Sequence, residues 1–199
     1  MRDAQYRRTS KEFGEEINMT SSFKTEWKSN HPIYERISPE TKNFLFKHDE
    51  ILRWLDDSFK LFKQFENDRN FQDYSFVITP AFKALEKWLL MIAPYLGVPD
   101  DLVKRAENTG KLGIFLNDDD LENFIDNVLN RLGKSEEKRK SIRTYLQSLN
   151  QTLKNFRHNP AHCGNIIENP LMAETMLHSI LSNINEITSM LIEEKIITN

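Results

Sequence analysis

The segment Phe156-Arg157-His158-Asn159-Pro160-Ala161-His162 sets an arginine and a histidine apart with four residues between them. An arginine fork can hold a phosphate through two parallel charge-assisted hydrogen bonds. A histidine titrates near neutrality and can carry a proton in either direction. Together they suit cleavage of RNA by its own 2′-hydroxyl. That reaction needs a base at the hydroxyl, a cation on the developing phosphorane charge and an acid for the leaving oxygen. Pro160 disfavours helical geometry at Asn159, so the chain turns and need not send Arg157 and His162 to opposite faces. Two other readings use the same residues. Basic side chains at a helix C-terminus also meet the helix dipole favourably. His158, His162 and Cys163 are zinc-type ligands, but Pro160 spoils the helical pairing and there is no second cysteine, so no metal is expected.

The elements that must position this segment read as helices. Six Gly and seven Pro punctuate 199 residues, mostly at the ends of helical patterns. Residues 1–38 are irregular and read as an arm; 39–199 read as a helical bundle. Ser38-Pro39-Glu40 is an N-terminal signature, followed by one long stripe of Phe44, Ile51, Leu52, Leu55, Phe59 and Phe62. The next apolar unit, 73–96, contains Thr79-Pro80, where a helix must kink or restart. Within it, 74–79 is the one stretch resembling a strand. A short helix opens at Pro99-Asp100-Asp101. Longer ones carry Leu121 to Leu132, Ile142 to Phe156 and, after Asn169-Pro170, Leu177 to Leu191. The fold class is all-α, an up-and-down bundle of about four long helices plus short ones.

On the 73–96 unit, Glu86 shares a flank with Phe82, Leu90 and Ala93. A carboxylate on an otherwise apolar flank needs a cationic partner. Arg157 is one candidate; Lys83 and Lys87 on the same helix are the local alternatives.

Arg157 and His162, at the junction between the last two long helices of an all-α chain, resemble the R-x(4–6)-H signature of the HEPN superfamily, in which a polar residue follows the arginine; His158 and then Asn159 stand there. The run Asp73-Tyr74-Ser75-Phe76-Val77-Ile78-Thr79-Pro80-Ala81-Phe82-Lys83-Ala84-Leu85-Glu86 is similar to the segment opening the HEPN-type domain of the RnlA/LsoA toxin ribonucleases. The resemblance covers roughly residues 40–195 and lacks those toxins' additional domains. It implies a metal-independent endoribonuclease of bacterial toxin or antiviral-defence type that leaves 2′,3′-cyclic phosphate ends. Arg157, His162, Glu86 and Lys83 are the implied catalytic residues, and His158 and Asn159 the implied substrate contacts. The implied partners are RNA, a second copy of the chain and an antitoxin or regulatory protein, with no cofactor. A non-catalytic HEPN-like binding module is the alternative.

Composition bounds these readings. With 27 basic and 30 acidic residues the net charge is −3, which argues against a general nucleic-acid coat but leaves a compact nuclease site untouched. No apolar run approaches the ~18–20 residues of a membrane helix. The first residues show no secretory signal, and the lone Cys163 fits a reducing compartment, so a cytoplasmic location is expected.

Overall fold

The computed structural model describes residues 35–68, 71–109, 118–132, 135–157 and 166–197; the side chains of 118–121, 123, 132 and 155–157 fall outside that description. The chain divides into Met1–Pro32 and Ile33–Asn199, and all described residues belong to the second unit. The arm expected over 1–38 therefore lies almost wholly outside the described residues. Its last members do not: Ile37 is buried, and the Ser38 N–H donates to Asn185 Oδ1 at 2.9 Å.

The described residues form an all-α bundle. Helix α1 is Pro39–Leu45, α2 Asp49–Phe65, α3 Ser75–Ile92, α4 Asp100–Thr109, α5 Asp118–Leu132, α6 Glu136–Arg157 and α7 Pro170–Glu193. No strand occurs among them, and none of these helices is long and apolar enough to cross a membrane. Caps set several starts. Ser38 Oγ accepts from the Thr41 N–H, Ser135 Oγ from Lys138 and Asn169 Oδ1 from Met172, satisfying first-turn donors that a helix cannot pair internally.

Two expectations are corrected. The stripe running from Pro39 to Phe65 is not one helix: a 3-10 turn, Phe46–His48, interrupts it, with His48 in a non-helical conformation. The break lets Phe44 and Leu45 of α1 and Ile51, Leu52 and Leu55 of α2 all be buried. The strand-like 74–79 stretch is the first turn of α3. Burial of Val77 and Ile78 outweighs the weak helix preference of β-branched residues, and Thr79 Oγ1 donates to the Ser75 carbonyl at 2.8 Å.

Pro80 lies inside α3 and removes one rung of its hydrogen-bond ladder. The adjacent Ala81 N–H donates at 2.7 Å to Oγ of Ser58, a fully buried serine on α2. A side chain of a neighbouring helix thus pairs with the backbone N–H next to the proline.

Helix α7 is central and packs against α1, α2, α3 and α6. Trp88 Nε1, late in α3, donates to Thr188 Oγ1, late in α7, at 2.9 Å. The Tyr74 N–H, just before α3, donates to the Ile167 carbonyl, just before α7. These helices therefore run parallel. Lys138 at the start of α6 pairs with Glu194 at the end of α7, so α6 runs the other way. The buried Asn183 Nδ2 donates to Thr152 Oγ1 at 2.9 Å and fixes the register of α6 on α7. By the same logic α2 is antiparallel to α3, and α5 to α6, where Arg143 bridges Glu122 and Asp126 and Arg139 donates to the Leu129 carbonyl. The consequence is positional. The end of α6 and the starts of α3 and α7 share one end of the bundle.

Candidate active site

Of the candidate residues, Arg157 lies at that end by its backbone, while Lys83 and Glu86 lie at and beyond the middle of α3. Arg157 is the last residue of α6 as described, though its side chain is among those outside the description. His158, Asn159 and His162 lie outside the described residues. The chain resumes at Ile166 and docks at once. Both backbone groups of Ile167 are bound at the start of α3: its carbonyl accepts from the Tyr74 N–H at 2.9 Å, and its N–H donates to Asp73 Oδ1 at 3.2 Å. Ile167 and Tyr74 are buried. The Arg157–His162 segment therefore leaves α6 and is followed by a chain tied to α3, the helix of Lys83 and Glu86.

Lys83 and Glu86 sit three residues apart on one side of α3, Lys83 exposed and Glu86 half-buried. The fully buried face of α3 is Val77, Ile78, Ala81, Ala84, Leu85, Trp88, Leu89 and Ile92. The flank that carries Glu86 is its shoulder, with Phe82 and Leu90 half-buried and Ala93 buried. Of the local cations, Lys87 turns instead to Glu50 of α2, at 3.7 Å. At ~1.5 Å of rise per residue, Lys83 and Glu86 stand roughly 12 and 16 Å along the helix from Ser75. Five peptide units separate Ile167 from His162, at most ~18 Å of extended chain. Among the site residues expected from sequence, Lys83 and Glu86 are the two whose side chains are described, both on α3. Arg157 is placed by its backbone only.

Asp73 stands just before α3 and joins it to the chain before α7. Its Oδ1 accepts from the Ser75 N–H at 2.8 Å and from Ile167, and its Oδ2 accepts from the Ser75 hydroxyl at 2.8 Å. Desolvation opposes its charge, but the Ser75 and Ile167 hydrogen bonds outweigh it and hold the carboxyl below its ordinary value. An Asp two residues before a helical serine is a capping signal, obscured here because the following Phe76-Val77-Ile78-Thr79 looks β-prone.

Residues 138–167 hold six Lys and Arg and no Asp or Glu, in a chain whose acids outnumber its bases. Four of the six, Lys138, Arg139, Lys140 and Arg143, lie in the first turns of α6 at the opposite end of the bundle, where Lys138 pairs with Glu194 and Arg143 with Glu122 and Asp126; Lys154 and Arg157 lie toward this end. Apolar side chains also reach solvent here: Ile166 is 55% exposed, Leu171 70% and Met172 41%. Below them Phe65, Phe71 and Phe76 meet at 5.1–5.3 Å between ring centroids and buttress the start of α3.

No family model, curated protein or solved structure matches this chain.

Proposed function

We propose that the protein is a metal-independent endoribonuclease, of toxin or antiviral-defence type, cutting RNA to leave 2′,3′-cyclic phosphate ends. The observation that carries this reading is the course of the chain around Arg157. The last turns of α6, with Lys154 and no acidic residue, end at Arg157; the sequence then continues through His162, and the chain attaches at Ile167 to the start of α3, which bears Lys83 and Glu86.

In the reaction, His162 takes the proton of the 2′-hydroxyl as that oxygen forms a bond to phosphorus. The P–O5′ bond breaks, and the departing 5′-oxygen receives a proton from a second acid. Arg157 and Lys83 neutralise charge on the phosphorane oxygens, Glu86 orients Arg157, and His158 and Asn159 contact the substrate. The second acid is either His158 or His162 of a second copy, and a two-fold pair supplies the latter without new sequence. The solvent-facing Ile166, Leu171 and Met172 favour a partner at this end. They also support the second reading, a non-catalytic helical binding module.

The discriminating experiment is incubation of purified protein with total RNA in EDTA, beside Arg157→Ala and His162→Ala. Cleavage by the wild type and its loss in both folded variants supports the nuclease. RNA left intact by the wild type favours the binding module.

A further inference from the structure

We propose that His178 is a protonation-dependent latch for the segment leading into α1: its neutral ring holds Arg36, and protonation transfers the ring to Glu174. The latch is independent of the nuclease reading.

One ring nitrogen meets two opposite partners. Arg36 Nη1 lies 3.2 Å from His178 Nε2, and Glu174 Oε1, one turn earlier on α7, lies 3.8 Å from the same atom. A guanidinium offers only N–H donors, so Nε2 accepts and the ring proton sits on Nδ1. At 3.8 Å the carboxylate is beyond hydrogen-bond reach of that nitrogen. The structure therefore holds the Arg36-bound state. A proton added to Nε2 takes up its lone pair and makes it a donor. The ring can then no longer accept from Arg36, and it carries a like charge beside the guanidinium. Glu174 becomes its acceptor. Histidine is the side chain whose ordinary titration makes this change near neutral pH.

Helix α2 supplies the other wall of the latch. The Arg36 guanidinium lies over the Phe59 ring, 4.9 Å from its centroid, and the His178 ring meets the same Phe59 at 6.3 Å. Phe59 thus keeps the two basic side chains beside each other. Among the described residues, the charged groups that His178 meets are Arg36 from the segment before α1 and Glu174 from its own helix. The charged side chains of α2 near Phe59 are engaged elsewhere, Asp56 with Lys60 at 2.6 Å and Lys63 with Glu66 at 2.9 Å.

Arg36 stands where its hold has a consequence. The next residue, Ile37, is buried, and after it Ser38 donates its N–H to Asn185 Oδ1 and caps α1 with its Oγ. Arg36 and Ser38 both reach α7, at His178 and Asn185, about two turns apart. The segment is stitched along α7 at two points, and only the first responds to protons. Releasing it loosens the entry to α1, while Ile37 and the Ser38 cap keep the helix in place.

The test is amide hydrogen exchange at Ser38 in the full chain, expressed as protection relative to the unstructured rate, between about pH 8 and about pH 5. Wild-type protection should fall about threefold or more as pH drops. Arg36→Ala should show the lowered protection throughout. His178→Gln, whose amide oxygen accepts from Arg36 without titrating, should show the higher protection throughout. Glu174→Gln should diminish the fall. Arg36 and His178 are exposed, so these variants leave the core untouched. Nitrogen NMR of the His178 ring at about pH 8 should show the proton on Nδ1. A neutral ring protonated on Nε2 overturns the latch. So does wild-type protection that does not change with pH, or a fall of equal size in His178→Gln or Arg36→Ala.

Discussion

Removing the Ser58 hydroxyl should destabilise the bundle at the turn of α3 that carries Pro80. Ser58 is fully buried on α2, and its Oγ accepts from the Ala81 N–H at 2.7 Å. Pro80 has no N–H, and its ring crowds the carbonyl four residues back, opening the ladder beside it. Ser58→Ala would leave the Ala81 N–H buried without that acceptor, a loss of about 1–3 kcal/mol. For a chain of this size each kcal/mol lowers Tm by ~2–4 °C, so a fall of roughly 2–12 °C is expected. The decisive comparison is a double-mutant cycle. Pro80→Ala lets α3 close its ladder, so Ser58→Ala in that background should cost under ~1 kcal/mol, a coupling of about 1–2 kcal/mol. Urea unfolding of the four proteins, followed by far-UV circular dichroism, reads both quantities. Equal costs in the two backgrounds would show that the Ser58 bond is independent of Pro80. A neutral Ser58→Ala would show that the Ala81 N–H is satisfied within α3.

The remaining predictions concern charge, the site and assembly. Asp73 has a folded-state pKa below its unfolded one, so its contribution to stability is full above the ordinary carboxylate range and lost as pH falls through the lowered value. Acid titration of stability should therefore flatten in Asp73→Asn; an unchanged acid limb would contradict the sign. At Glu86, half-buried on the shoulder of α3, Glu86→Gln should keep part of the nuclease activity and Glu86→Ala lose more. Wild-type rates in both would make it an ordinary rim residue. If two copies share the site, solution mass should be about twice 23.5 kDa. Excess His162→Ala subunits should then depress wild-type activity beyond dilution, whereas proportional loss would return His158 as the second proton carrier.

The helices were most legible where local chemistry marks their ends. Ser38, Ser135 and Asn169 each sit before a proline or an acidic turn, and each caps the helix that follows. The interruption at Phe46–His48 was not legible, because the apolar stripe runs through it without a Gly or Pro. Ser75–Thr79 misled because its β-branched residues prefer strands locally, while the buried positions of Val77 and Ile78 are decided by the whole bundle. At the candidate site, the half-buried flank of Glu86 followed from helical spacing. The Asp73–Ile167 bond joins residues 94 apart in sequence. No periodicity signals such a pairing.

The ends of the cut RNA test the proposed reaction most directly. A defined oligonucleotide incubated with the purified chain in EDTA, then analysed by mass spectrometry, should yield an upstream fragment ending in a 2′,3′-cyclic phosphate and a downstream fragment with a free 5′-hydroxyl. His162→Ala should yield neither, at a rate lower by about a hundredfold or more. Downstream fragments carrying 5′-phosphates, or cleavage that appears only with added Mg²⁺ or Mn²⁺, would contradict 2′-hydroxyl attack at an arginine–histidine site.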